Sequence, residues 1–211
     1  MTKILVADDH PLFREALSGA LAPYFENAQI LEAGTLESAV SVLNEHDSVD
    51  LVLLDLNMPG CEYFNGIITL RELFPTMPIA VISGSDTIEV VAQVMSLGAD
   101  GFIPKVTATR EIAQAIVDII GGKKWLPEGM DEQLDKVDDE LKVLLQRFRE
   151  LTPKQIQVLS FLRSGLMNKQ IAHEMNVTEA TIKAHISAIL RKLEINTRTQ
   201  AVLLMDKLQL N

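Results

Sequence analysis

The sequence KILVADD at residues 3–9 runs from a short apolar segment directly into two aspartates. The sequence DLVLLD at residues 50–55 repeats this pattern and ends on a third strand-end aspartate, Asp55. Short apolar runs without polar alternation are typical of strands buried on both faces, as in a parallel sheet. Functional groups of open parallel sheets lie just beyond the carboxyl ends of the strands. We therefore expect Asp8, Asp9 and Asp55 to converge on one pocket at that edge.

Three carboxylates in one pocket indicate a particular chemistry. Carboxylates this near to one another cannot all remain ionised without a counter-charge. A hard divalent cation such as Mg²⁺, which prefers oxygen ligands, supplies one. The same pocket suits a carboxylate that accepts a phosphoryl group, because the cation neutralises the incoming oxygens.

Composition limits the class of protein. The chain has 211 residues, 47% of them hydrophobic, which is enough for one large domain or two small ones. No apolar run reaches the length of a transmembrane helix, and the single cysteine, Cys61, excludes an internal disulfide framework. The early strand argues against a secretory signal peptide. We expect a cytoplasmic protein with no membrane partner.

Charge divides the chain into two parts. Residues 1–128 carry 7 basic and 18 acidic side chains, whereas residues 151–211 carry 8 basic and 4 acidic ones. A basic C-terminal part on an acidic protein favours a polyanion partner for that part. Chance surface variation is the alternative interpretation.

Strand and helix patterns alternate over residues 1–121 and are punctuated by proline and glycine. Five such β-α units predict an α/β domain with a five-stranded, doubly wound parallel sheet and helices on both faces. The expected strands are 3–7, 28–31, 50–54, 79–82 and 101–103, and the expected helices are 11–24, 35–45, 66–73, 87–97 and 107–120.

The alternation stops after Trp125 and Pro127, and residues 122–150 are predicted to be a linker. Its stretch DEQLDKVDDELKVLLQRF repeats leucine and valine at helical spacing. A half-solvated linker helix is the favoured interpretation, with a partner-binding helix as the alternative.

Residues 151–211 have only helical patterns and predict an all-α domain of four helices. Thr152, followed by proline, marks the start of the first helix. Two more helices start at Asn168 and at Thr178, and a fourth covers about 197–209. Two short helices joined by a tight turn form the helix-turn-helix pattern.

The first of these two regions, residues 1–121, resembles the receiver domain of two-component response regulators, which has a flavodoxin-like (CheY-like) fold. Five pieces carry the resemblance, in order and each at a strand end: Asp8-Asp9, LVLLDLNMPG at 51–60, Ser83, and Phe102 and Lys105 in GFIPK. One departure is the loop after Pro59-Gly60, which Cys61 to Asn65 lengthen.

The resemblance implies a phosphoacceptor and a metal site. Asp55 would accept the phosphoryl group. The Mg²⁺ ligands would be Asp9 and Asp55 directly, Asp8 mainly through a water, and the backbone carbonyl of Asn57. His10 borders the pocket and is assigned no catalytic role.

The resemblance also implies three residues that respond to the phosphoryl group. Lys105 and Ser83 would each contact one of its oxygens. Phe102 would be an aromatic switch that swings inward as Ser83 moves. On its own, Phe102 would be interpreted as core filler, and the switch is favoured because the whole set of residues is present.

The second region, residues 151–208, resembles the helix-turn-helix output domain of the NarL/FixJ (LuxR-type) group. The matching strings are LTPKQIQVL at 151–159 and GLMNKQIAHEMNVTEATIKAHISAILRKLEINTRTQAV at 165–202. The resemblance makes 178–193 the recognition helix in the major groove. The implied DNA contacts are Lys183, Ala184 and Ser187 at base edges, and Thr181, His185, Arg191, Lys192, Lys169 and Asn168 at the backbone.

The fourth helix of this region is implied to join two copies of the chain. The contact would run through Val202, Met205 and their neighbours, and it would match paired half-sites on DNA.

Together these features predict a DNA-binding transcriptional response regulator. A sensor histidine kinase would phosphorylate Asp55, which would promote formation of a homodimer and its binding to promoter DNA. RNA polymerase is a further candidate partner. Because the receiver catalyses phosphoryl transfer only onto itself, we do not class the protein as an enzyme.

Two alternatives are weaker. An aspartyl-phosphate phosphatase would need a general acid two residues after Asp55, where this chain has Asn57, and it would leave the helix-turn-helix unexplained. A DNA-binding protein whose receiver serves only in dimerisation is the other alternative, and the intact acidic set with Lys105 argues against it.

Overall fold

The computed structural model describes residues 1–25, 27–61, 64–137 and 139–207. Some residues of the sequence patterns lie outside this described part, namely Glu62 and Tyr63 of the lengthened loop, Asp138 of the linker stretch, and Leu208 and Gln209 of the fourth C-terminal helix. Among the described residues, no helix is long and apolar enough to cross a lipid bilayer. The chain divides into two compact units, Met1–Asp138 and Asp139–Asn211, and each is a body in its own right.

A parallel sheet forms the centre of the first unit. Its strands are β1 (Lys3–Ala7), β2 (Gln29–Ala33), β3 (Leu51–Leu54), β4 (Ile79–Ser83) and β5 (Gly101–Pro104). In the described part of the chain these five strands have the order β2-β1-β3-β4-β5, and every neighbouring pair is parallel. Strand order reverses at β1, so the switch point of the sheet lies between the carboxyl ends of β1 and β3.

Helices cover both faces of this sheet. They are α1 (Pro11–Leu21), α2 (Leu36–Glu45), α3 (Asn65–Leu73), α4 (Ile88–Ser96), α5 (Thr109–Ile120) and α6 (Met130–Asp135). On one face, α1 and α5 share a buried cluster with alternate strand residues such as Ile4, Leu53 and Ile103. On the other face, α2 packs on β1 and β2 while α4 packs on β5. The predicted doubly wound α/β fold is therefore confirmed.

Trp125 adds a bridge to the edge strand β5. Its N–H donates to the carbonyl of Asp100 at 3.0 Å, and its own carbonyl accepts from the N–H of Phe102 at 3.1 Å. A Cβ on Gly101 would lie 2.5 Å from Ile119 Cδ1 and 3.2 Å from the Trp125 carbonyl oxygen. Glycine therefore permits this close approach, and the start of the predicted linker belongs to the first unit.

The remainder of the predicted linker is divided between the two units. It forms two helices instead of one, α6 and α7 (Asp139–Arg149). α6 packs against α4 of the first unit. α7 belongs to the second unit, where its Leu145 and Phe148 are buried. Helical spacing predicts a helix here, but it does not reveal which core the helix joins.

The second unit is all-α, as predicted. It contains α7 and four further helices among the described residues: α8 (Pro153–Arg163), α9 (Asn168–Glu174), α10 (Glu179–Lys192) and α11 (Arg198–Lys207). Thr152 and Gln155 form a reciprocal capping box at the start of α8. Asn176 has a φ of 52° in the turn between α9 and α10, a left-handed backbone that asparagine tolerates. α10 packs against both α8 and α9.

Candidate functional site

The carboxyl edge of the sheet brings together the three aspartates that follow strands. Asp8 and Asp9 follow β1, and Asp55 follows its neighbour β3. Backbone pairing continues past the strands, since the N–H of Asp55 donates to the carbonyl of Ala7 at 2.8 Å. Asp8 and Asp55 are fully buried, whereas Asp9 is exposed. One ligand atom from each of them and one from His10 all lie within 4.8 Å of one another.

Lys105, the residue that follows β5, brings a positive charge into this pocket. Its Nζ lies 2.6 Å from Oδ2 of Asp8 and 3.2 Å from Oδ2 of Asp55. The ring of Phe13, from α1, faces the ammonium with its centroid 4.7 Å away, a cation–π contact. The backbone of Lys105 is held as well, because its N–H donates to the carbonyl of Ser83 at 2.7 Å.

The carboxylate of Asp55 has few partners for a buried charge. The ammonium of Lys105 lies 3.2 Å from its Oδ2, and the backbone of Asn57 contributes a hydrogen bond that lowers its pKa. Burial raises the pKa of Asp55 above its ordinary value, Lys105 opposes that rise, and the charge of Asp8 adds to it. A carboxylate in this position has its charge poorly compensated.

The pKa of Lys105 is raised above its ordinary value. Burial alone would lower it, but the hydrogen bond to Asp8 and the charge of Asp55 outweigh the burial. Lys105 is therefore a cation throughout the neutral pH range.

These groups fit a hard divalent cation. Carboxylate oxygens are the ligands that Mg²⁺ prefers, and the buried Asp55 carboxylate, whose charge has few partners, is an available ligand. Asp8, Asp9 and Asp55 would hold the cation, which when bound offsets their repulsion and polarises a phosphoryl oxygen. Asn57, whose backbone carbonyl is a further expected ligand, is exposed in the turn after β3, and its role stays a prediction.

Ser83 and Phe102 both occupy buried positions near the pocket. Ser83, the last residue of β4, is 1% exposed, and its Oγ accepts from the N–H of Ser85 at 3.2 Å. Phe102 is fully buried and pairs with Val81 in the sheet. The side chain of Phe102 is therefore in an inward position. Its movement, and the contact of Ser83 with a phosphoryl group, stay predictions.

Three residues at the start of α1 make contacts with the pocket that the sequence analysis did not predict. Phe13 faces Lys105, and His10 turns its ring towards the aspartates. Arg14 donates from Nη1 to the carbonyl oxygen of Asp8 at 2.6 Å and pairs through Nε with Glu32 at 2.8 Å. The one sequence signal for these contacts was position. The segment HPLFR follows the two aspartates directly, which places the start of α1 beside the pocket.

The second candidate site is the outer face of α10. Thr178 caps this helix by accepting from the N–H of Thr181 at 3.2 Å. The buried face contains Ile182 and Ile189. Of the residues expected to contact DNA, Lys183, Ala184, Ser187, Arg191 and Lys169 are exposed, while Asn168, Thr181 and His185 are half-buried. Their contacts with DNA stay predictions.

Lys192 does not extend freely from this face. Its Nζ donates to the carbonyl of Glu150 at 2.7 Å and to Oε1 of Gln155 at 2.9 Å. These bonds attach the end of α10 to the start of α8. A phosphate contact by Lys192 would require breaking them, and this contact stays a prediction, as does that of Arg191.

The structure places Met205, expected in the contact between copies, inside its own unit, and that contact stays a prediction. Met205 is fully buried within its own unit, so its side chain is not available to a second chain. Val202 is half-buried and its neighbour Leu203 is 62% exposed. The amphipathic pattern of α11 was consistent with either face, and packing against α8 decides which one is buried.

Comparison with known protein families identifies the same two domains. The model of the response regulator receiver domain matches residues 4–117, and the model of bacterial regulatory proteins of the luxR family matches residues 149–205. The glycerol metabolism activator of Pseudomonas putida is 40% identical over 208 residues, covering 96% of this chain and 94% of that protein. The nitrate/nitrite response regulator protein NarP of Escherichia coli K12 is 33% identical over 202 residues, covering 96% and 93%.

Solved structures share this fold. The RcsB response regulator of Salmonella typhimurium superimposes with a TM-score of 0.58 at 23% identity over 98% of both chains. A LuxR family DNA-binding response regulator from Silicibacter pomeroyi gives a TM-score of 0.55 at 31% identity, covering 61% of this chain and 98% of its own. RcsB itself has been solved as two dimers bound to two parallel DNAs.

Proposed function

Because this chain belongs to the two-component response regulators that join a receiver domain to a LuxR-type DNA-binding domain, we propose that it is a phosphorylation-controlled regulator of transcription. A sensor histidine kinase donates a phosphoryl group to Asp55. Phosphorylation promotes a homodimer, and the dimer binds promoter DNA through α10. The observation that supports this proposal most directly is the fully buried Asp55 carboxylate, which has the ammonium of Lys105 3.2 Å away and lies beside Asp8 and Asp9.

The phosphoryl transfer follows from the state of Asp55. One of its oxygens attacks the phosphorus of a phosphohistidine, the new P–O bond forms, and the P–N bond breaks. The leaving imidazole takes a proton from solvent. Because the carboxylate has few partners and burial disfavours its charge, the oxygen lone pairs are available and weakly solvated.

Lys105 stabilises the product of this step. The acyl phosphate adds negative charge close to Asp8 and Asp9, and Lys105 is the nearby ammonium. Asp8, Asp9 and Asp55 would hold Mg²⁺, which would supply the remaining counter-charge. Ser83 contributes its hydroxyl as a hydrogen-bond donor to another phosphoryl oxygen.

The signal leaves the pocket through β4 and β5. Ser83 and Lys105 are joined by a backbone hydrogen bond of 2.7 Å, and Phe102 lies three residues before Lys105, on strand β5 that leads into it. A displacement of Ser83 and Lys105 towards the phosphoryl group therefore acts on the strand that contains Phe102. We propose that this displacement favours the dimer.

The second unit carries the output. Its exposed Lys183 and Arg191, on a helix whose opposite face is buried, suit the acidic backbone and base edges of a major groove. The solved RcsB dimers on DNA and the relative named as a glycerol metabolism activator support promoter binding and transcriptional control. We further propose a cytoplasmic location, RNA polymerase as a partner on DNA, and no turnover of an external substrate.

Labelling by a small phosphodonor tests the proposal. The full chain, incubated with radiolabelled acetyl phosphate and Mg²⁺, should acquire one hydroxylamine-sensitive label. Asp55→Ala should abolish the label. Asp47→Asn, a change at an exposed aspartate near the opposite end of the sheet, is the matched control and should label normally. A label that persists in Asp55→Ala would place the nucleophile elsewhere.

A further inference from the structure

The ammonium of Lys105 is held by two carboxylates and one aromatic ring. Its Nζ lies 2.6 Å from Oδ2 of Asp8 and 3.2 Å from Oδ2 of Asp55. The ring is that of Phe13, and its centroid is 4.7 Å from the same nitrogen. The face of a benzene ring has a negative potential that attracts a cation, although the ring has no net charge. Phe13 is therefore the uncharged member of the set.

Backbone and side-chain bonds fix the position of this ring at the start of α1. The N–H of Phe13 donates to the carbonyl of His10 at 3.0 Å. The next residue, Arg14, donates from Nη1 to the carbonyl of Asp8 at 2.6 Å and pairs through Nε with Glu32 at 2.8 Å. These bonds fasten the first turn of α1 to the residue after β1 and to β2. The ring consequently has a defined place beside the pocket.

Core packing alone does not account for the place of Phe13. The ring borders the buried cluster that α1 and α5 form with the strands, but the residue is only half-buried. Phe25 borders the same cluster and is half-buried too, and its ring makes no cation–π contact with a described residue. The two rings share an apolar environment and differ in the ammonium, which makes Phe25 a matched control.

The proposed reaction changes the two carboxylates and leaves the ring unchanged. Asp8 would turn to the cation, and Asp55 would become the acyl phosphate. Both would then give up their present contact with the ammonium of Lys105. The ring has no charge to exchange with the incoming groups, so its attraction for the ammonium is the same before and after the transfer.

We propose that Phe13 is a positioning residue for phosphoryl transfer to Asp55, because its ring keeps the ammonium of Lys105 in the pocket while that ammonium leaves Asp8 for the phosphoryl group. This rests on the proposed function, since it requires Asp55 to be the phosphoacceptor. Lys105 is 21% exposed, so without the ring its ammonium would spend more time in solvent. Phe13 acts through Lys105 and makes no bond to the phosphoryl group.

Ring fluorination tests the contact while nearly preserving the shape of the residue. Each fluorine withdraws electron density from the ring face and weakens its attraction for a cation, and the ring stays apolar. The full chain with mono-, di- or trifluorinated phenylalanine in place of Phe13 should be labelled progressively more slowly by acetyl phosphate and Mg²⁺. The total loss in rate should be about two- to thirtyfold, from the known strength of such contacts. The same replacements of Phe25 should leave the rate unchanged.

Nuclear magnetic resonance locates the ammonium independently of the labelling rate. Protons above the face of an aromatic ring are shifted upfield. The ε-methylene protons of Lys105 should therefore resonate upfield of those of Lys123, whose side chain is 74% exposed. Phe13→Leu should remove this shift, and Phe13→Tyr, which retains the ring face, should keep it. The shift should persist when Mg²⁺ and beryllofluoride mimic the phosphoryl group.

Three outcomes separate this inference from the proposed function. Equal labelling rates across the fluorinated series, in a chain that labels at Asp55, would overturn the role of Phe13 and leave the proposed function intact. Loss of the upfield shift of Lys105 on addition of beryllofluoride would do the same. Failure of the native chain to label at Asp55 would overturn the proposed function and, with it, the role of Phe13.

Discussion

The Nζ of Lys105 lies 2.6 Å from Oδ2 of Asp8 and forms a charge-assisted hydrogen bond with it, although 97 residues separate the two in the chain. The same ammonium is farther from Asp55, at 3.2 Å from its Oδ2. The lysine is therefore engaged with a neighbour of the phosphoacceptor candidate. To stabilise an acyl phosphate it must shift towards Asp55, and Asp8 is then released to a cation.

Neutralising Asp55 should stabilise the protein when Mg²⁺ is absent. The folded-state pKa of Asp55 is raised above 3.8, so folding favours its protonated form. Its stabilising contribution is fully present below pH 3.8 and is lost as pH rises through the folded-state pKa. Asp55→Asn should therefore raise the free energy of unfolding at pH 7.5, because the amide fills the same site without a charge that burial disfavours.

Urea unfolding with a chelator, at pH 4 and pH 7.5, measures this effect. The difference between Asp55→Asn and the native protein should grow with pH, whereas Asp47→Asn should show none. If the native protein were more stable than Asp55→Asn at pH 7.5 without a cation, the inference that the charge of Asp55 is poorly compensated would be wrong.

Removing Lys105 should make folding depend on a cation. Lys105→Ala leaves the buried carboxylates of Asp8 and Asp55 without their ammonium. Loss of one member of a buried ion pair costs about 3–5 kcal/mol, and we expect less, about 2–4 kcal/mol, because Lys105 is 21% exposed. Thermal unfolding should show the loss with a chelator and a partial recovery with Mg²⁺. Lys123→Ala, at a side chain that is 74% exposed, is the control.

Lys183 and Arg191 should contribute differently to DNA binding. A contact with a base edge carries about 1–3 kcal/mol of sequence discrimination. A phosphate contact adds affinity on every sequence, and its loss lowers the salt slope by about one. Lys183→Ala should therefore reduce the preference for a specific site over a scrambled one, whereas Arg191→Ala should weaken binding to both sites equally. Fluorescence anisotropy at two salt concentrations measures both effects.

Lys192→Ala is the structural comparison for these two variants. Loss of its bonds to Glu150 and Gln155 should lower hydrogen-exchange protection at the start of α8. Its salt slope should match that of the native protein. A reduced salt slope of DNA binding, with unchanged hydrogen exchange at the start of α8, would instead support a phosphate contact by Lys192.

Substitutions at Met205 and Val202 should affect two different properties, the stability of the fold and self-association respectively. Met205→Ala removes a fully buried side chain and should cost about 2–5 kcal/mol of stability. Val202→Asp should leave the fold intact, since Val202 is half-buried, but should prevent the dimer that beryllofluoride induces. Sedimentation velocity and thermal unfolding of the full chain distinguish the two. A Val202→Asp protein that still dimerises would exclude α11 from the contact.

Much of the phosphoacceptor pocket could be predicted from local sequence. Each apolar run forms a strand buried on both faces, and parallel strands end at one edge of the sheet. Asp8, Asp9 and Asp55 had to meet there for that reason, and the structure places their carboxylates together. The helix starts at Thr152 and Thr178 were predictable in the same way, because a capping side chain bonds to its own first turn.

The direction of individual side chains could not be predicted, because it depends on partners far apart in the chain. Lysine spacing does not show that Lys105 pairs with Asp8 or that Lys192 bonds back to Glu150. The helical pattern of α11 likewise does not show that Met205 is interior.

The sequence by itself determined the two folds, the helix-turn-helix and the residues of the acidic pocket, because periodicity, caps and strand-end positions are local properties of the chain. The tertiary structure alone decided the orientation of His10, the bridge from Trp125 to β5 and the separation of α6 from α7. These features arise when an element chooses between surfaces that its own sequence fits equally well, and packing and electrostatic neighbours make that choice.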